Sequence, residues 1–121
     1  MSALGAVSQA LAHLSSADRS MLDRVKRAVR EVEPDARVIL YGSRARGDAA
    51  PDSDWDLLVL LDGPTDSRRL QTVRDRVYDV EIDEEGCPVL STFVKSRDDW
   101  ESPLSKAMPY YEHVQRDGVA L

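Results

Sequence analysis

Cysteine is nearly missing from this chain. Cys87 is the only one among 121 residues, so no disulfide can form within it, and beside Pro88 the residue reads as part of a turn rather than as a nucleophile. Positive charge is also in short supply. Sixteen Lys and Arg stand against 22 Asp and Glu, for a formal charge of -6, and this balance argues against direct nucleic-acid binding through a basic surface. An anionic ligand would need a local cationic site. No apolar run reaches the length of a membrane span, and no repeat or low-complexity tract is present. The opening "MSALGAVSQALAHL" has no basic stretch leading into a sufficient apolar core, so the expected address is the cytoplasm, without a membrane partner.

What remains is ordinary globular material, 42% hydrophobic and 31% charged. One domain over 1–121 is expected, with residues 1–15 read as a helix or a loosely ordered leader. From Asp18 to Glu33 the apolar residues Met21, Leu22, Val25, Ala28, Val29 and Val32 recur at helical spacing. Ser15 or Ser16 can cap that helix, and Pro34 ends it. "RVILYG" and "DWDLLVLLD" read as two central strands. Pro64 opens another helix carrying Leu70, Val73, Val77 and Val80, with Gly86 as its stop. "PVLSTFVKS" reads as a third strand, Ser96 with Asp99 as a capping box, and Ser102-Pro103 and Pro109 as starts of short helices. The order α-β-β-α-β-α predicts an α/β (α+β) fold: a small mixed sheet with helices packed on it.

The chemistry concentrates in "ILYGSRARGDAAPDSDWDLLVLLD", from Ile39 to Asp62. Side chains alternate along a strand, so Asp54 and Asp56 point to one side and Trp55 to the other. Two carboxylates that close raise each other's pKa unless a cation lies between them, and Mg²⁺ is the hard cation that one or two carboxylates hold while water and phosphates complete its shell. Gly42 lets backbone approach a ligand closely, and Ser43 adds a hydroxyl beside backbone N–H groups able to line an anion. Arg44 and Arg46 offer forked donors for phosphate, although Arg46 can equally pair with a loop acid. Asp48 and Asp52 read as loop residues around Pro51. Together these residues describe a nucleoside triphosphate held by its phosphates.

The pattern Gly42-Ser43, then Asp54-Trp55-Asp56, resembles the signature of the DNA-polymerase-β-like nucleotidyltransferases, and "GSRARGDAAPDSDWDLLV" is similar to their minimal single-domain members. Four fixed positions match by chance in roughly one chain in a thousand of this length. The resemblance is dense over about Val38 to Leu61. It implies the nucleotidyltransferase fold, Gly42 and Ser43 on the triphosphate, and Asp54 and Asp56 as catalytic Mg²⁺ ligands. It also implies transfer of a nucleoside monophosphate, AMP from ATP, to a hydroxyl. The implied partner is a helical HEPN-type toxin, which would make this chain an antitoxin.

Many such proteins carry a third carboxylate on the next strand. Two readings of this chain supply different answers. If "VYDVEID" is a strand, Asp79 and Glu81 are candidates; if the helix runs on to Gly86, the next strand is "PVLSTFV" and the counterpart is Ser91. The second reading leaves two acids and opens an alternative function: a catalytically degenerate binding module that masks a partner or senses nucleotide. A standalone enzyme acting on a small molecule is a further alternative. His13 and His113 have no recognisable sequence partner, and each reads as a surface or core residue. The cluster Trp100, Leu104, Met108, Tyr110, Tyr111 and Val114 is expected to be half core and half contact surface.

Overall fold

A computed structural model describes residues 10–83 and 89–121. Helix α1 (Ser16–Val32) begins at Ser15, whose hydroxyl accepts from Asp18 N while the Asp18 carboxylate accepts from Ser15 N. This reciprocal cap satisfies two N–H groups that a helix start otherwise leaves open. The strands are β1 (Arg37–Tyr41), β2 (Trp55–Leu61), β3 (Leu90–Ser96) and a short β4 (Val119–Ala120). Between β1 and β2 lies one helical turn, α2 (Ser43–Arg46), and between β2 and β3 lies α3 (Ser67–Asp83). Three short helices follow β3: α4 (Arg97–Trp100), α5 (Pro103–Lys106) and α6 (Pro109–Asp117).

The sheet order is β3-β2-β1-β4, so the two strands read as central are central. Strand β1 runs antiparallel to β2 and β4, and β2 runs parallel to β3. The sheet is therefore mixed, as the element order predicts.

Alternation sorts the strand residues onto two faces. Val38, Leu40, Trp55, Leu57, Val59, Leu61, Leu90 and Val94 join the main core with Val25 and Val29 of α1 and Val73, Val77 and Val80 of α3. On the other face Tyr41, Leu58 and Leu60 pack with Trp100 and Val114. Burying each of these side chains contributes about 1.5–3 kcal/mol. Of the six residues in the expected C-terminal cluster, Trp100 and Val114 are buried, Tyr110 and Tyr111 are partly buried against them, and Leu104 and Met108 are exposed.

The structure decides two readings that the sequence left open. Leu11 and Leu14 are buried in the main core, so from residue 10 the stretch read as a leader is packed, because two leucines three apart on one turn need an apolar partner. Residues 1–9 of that stretch, the expected stop at Gly86 and Cys87 lie outside the described residues. The strand reading of "VYDVEID" gives way to helix, because α3 continues through Asp83 with Val73, Val77 and Val80 on its buried face. No helix among the described residues is long and apolar enough to cross a membrane.

Candidate functional site

The site forms at the open end of the β1–β2 pair. Tyr41, the last residue of β1, lies opposite Asp56, the second residue of β2. Gly42 and Ser43 therefore leave the sheet beside the two acids. Gly42 has φ +76, a conformation that L side chains rarely adopt. A Cβ there would collide with Asp56 Oδ2, so the missing side chain makes the room in which the carboxylate sits. Gly42 O accepts from Ala45 N and Arg46 N, both at 3.0 Å, which fixes the turn of α2. The first N–H groups of such a turn have no partner within the helix.

Asp56 is half-buried on the face that carries Tyr41 and Leu58. Burial pushes its carboxyl above the ordinary range, Asp54 adds to the rise, and Arg46 and His113 oppose it. Tyr41 is pushed up to about 12 by its burial, with contributions from Asp56 and Tyr110. An acid raised by burial and by a second carboxylate is a group whose charged form lacks compensation, and a cation supplies it. Among the described residues no group of three or more His, Cys, Asp and Glu side chains could hold a metal. A pair of carboxylates suits Mg²⁺ bound together with substrate phosphates better than a metal held by protein alone. The donor set fits the ion the sequence implies.

The arginines are placed differently from the phosphate-binding expectation. Arg44 turns back on its own loop: Nη2 donates to Pro51 O at 3.0 Å and Ser53 O at 2.8 Å, and Nε donates to Ser53 O at 3.2 Å. Its guanidinium lies 4.6 Å from the centre of the Trp55 ring, on the core side of the sheet. With Nε and Nη2 on loop carbonyls and its flat face on an indole, Arg44 clamps the 47–54 loop. Arg46 donates to Asp48 at 3.1 Å and to Asp117 at 2.9 Å. It is the loop-acid partner that the sequence admitted, joined also to the end of α6.

Asp79 and Glu81 are not at the site. Both lie on α3, which covers the sheet face opposite Asp56; Asp79 pairs with Arg76, and Glu81 borders a cleft between α3 and β3. Opposite Asp56 on β3 stands Ser91. Three groups near the acids escaped sequence reasoning: Tyr41, His113 and Asp117. Only Tyr41 carried a signal, since it immediately precedes the Gly-Ser pair. His13 does have a partner, its Nε2 lying 2.7 Å from Arg44 O with the ring against Gly47.

A family model described as a nucleotidyltransferase domain matches residues 22–98. That stretch covers most of the chain and includes the whole β1–β2 site. The chain belongs to this family, and the fold and the general activity of nucleotidyl transfer follow from that membership. No curated protein matches it closely enough to count as a relative.

Proposed function

We propose that this nucleotidyltransferase domain transfers AMP from ATP to a hydroxyl of a partner protein, with Mg²⁺ and with release of pyrophosphate. The partner in this reading is a helical HEPN-type toxin that the chain neutralises as an antitoxin. The observation that carries the enzymatic part is the fit between Gly42 and Asp56: the carboxylate sits where a side chain on residue 42 would be. Asp54 and Asp56 hold the ion, and Ser43 with the adjoining N–H groups orients the β- and γ-phosphates. Mg²⁺ held there would supply neutralisation of charge on the phosphates during an in-line displacement. A protein acceptor is favoured by Phe93, Leu104 and Met108, which stay exposed on β3 and the elements beyond it. Antitoxin identity rests on the sequence resemblance alone.

The test is label transfer from α-labelled ATP with Mg²⁺ to a co-purified or co-encoded partner. Parent protein labels the partner, and Asp54→Ala and Asp56→Ala do not. One observation favours a second reading, a nucleotide-sensing or masking module without catalysis: Ser91 occupies the β3 position facing Asp56. Partner binding retained by both alanine variants, with no label from the parent, selects that reading.

A further inference from the structure

Helix α6 lies beyond the stretch that matches the family, yet it is fastened to β3 and to α2, the turn that follows β1. Near its start, Tyr110 stacks on Phe93 of β3, ring centres 4.8 Å apart. At its end Asp117, whose side chain is only 6% exposed, takes a hydrogen bond from Arg46 of α2 at 2.9 Å. Between these anchors Val114 is buried against the sheet. Residues 110, 113 and 117 fall at i, i+3 and i+7 and so share one side of the helix. Both neighbours on that side are accounted for, Tyr110 toward Tyr41 and β3, Asp117 toward the Gly42–Arg46 turn. The third member, His113, stands between them on the same side of α6.

His113 is exposed and makes no hydrogen bond or ion pair with the described residues. The same helix geometry that sets Tyr110 on Phe93 and Asp117 on Arg46 carries His113 toward the Asp56 end of the sheet, and His113 opposes the rise of the Asp56 carboxyl. A neutral imidazole always carries one N–H donor, and a cationic one carries two. We infer that α6 is the third wall of the site and that His113 donates a hydrogen bond to the phosphoryl group carried at Asp54 and Asp56. This inference rests on the nucleotide-binding reading of those acids. Negative charge on the phosphate oxygens during transfer is what such a donor stabilises. Asp56 and Tyr41 from the sheet, with Asp54 just before β2, Arg46 from α2, and Tyr110, Glu112 and Asp117 from α6 are the ionisable groups on the elements packed there.

The experiment compares parent, His113→Asn and His113→Leu by calorimetric titration with Mg²⁺ and the α,β-methylene analogue of ATP, alongside NMR of the histidine rings. Asparagine keeps a donor, whereas leucine removes it without disturbing an exposed helix position. The expected result is binding weakened about tenfold to a hundredfold in His113→Leu, the range of one hydrogen bond to a charged group. His113→Asn should stay within about threefold, and the His113 ring resonances should move on titration. Leucine binding as tightly as the parent overturns the inference, as does an unmoved His113 ring while the Gly42 and Ser43 amides shift. If parent protein gives neither heat nor shifts at Gly42 and Ser43, the nucleotide-site reading itself fails, and this inference falls with it.

Discussion

The carboxylate of Asp56 fills the space that any side chain on residue 42 would need. Glycine is required there twice over, by the contact and by its φ of +76. Gly42→Ala is therefore expected to cost about 1–2 kcal/mol from backbone strain and to push Asp56 out of place. A displacement of about 1 Å at a reacting centre can lower activity on the order of a hundredfold. Nucleotide titration and circular dichroism on the same sample check both parts, and a variant that binds Mg-nucleotide like the parent would count against the site.

Arg44→Met should reveal a structural role. It removes hydrogen bonds to Pro51 O and Ser53 O and the contact with Trp55, for a stability loss of about 1–3 kcal/mol. The measure is the urea midpoint. An unchanged midpoint with weakened nucleotide binding would return Arg44 to the phosphate-binding role.

Asp56 and Asp117 should pull stability in opposite directions with pH. The folded-state pKa of Asp56 is raised, so its contribution is present below the ordinary carboxylate value and is lost as pH rises through the raised one. That of Asp117 is lowered, chiefly by Arg116 and then by Arg46, so its contribution is present above the ordinary value and lost as pH falls through the depressed one. Metal-free Asp56→Asn is thus expected to melt higher than the parent at neutral pH while losing Mg²⁺ binding. Asp117→Asn should flatten the acid side of the profile. Melting curves from pH 3 to 8 decide the signs.

Ser91→Asp places a third acid across from Asp56. Mg²⁺ affinity should rise, on the order of tenfold, and the metal-free domain should lose stability through crowding of like charge. Tighter metal without faster transfer would favour the binding-module reading.

Much of this architecture was legible in the sequence because local rules and packing agree. Ser15, Ser96 and Ser102 cap the helices that follow them, and valine spacing fixes α3. Asp-Trp-Asp announces β2, since only a strand end reconciles a buried indole with two acids. What could not be read were relationships set by distant partners. The arginines of "GSRARG" look alike in sequence, and only the fold shows that one faces Trp55 and the other reaches Asp117. Nothing around His113 marks it, because its position depends on how α6 lies over the sheet. Strand β4, with two residues, is too short to carry a pattern.

The split origin of the site has a consequence for how it comes into being during folding. Gly42, Ser43, Asp54 and Asp56 belong to one hairpin, whose closure needs only a short excursion of chain, whereas Arg46 and Asp117 are 71 positions apart. Loop closure across that span is entropically dearer and slower. Acids and glycine turn can therefore meet early, while the Arg46–Asp117 tie to α6 forms last, and ribosomal synthesis imposes the same sequence of events.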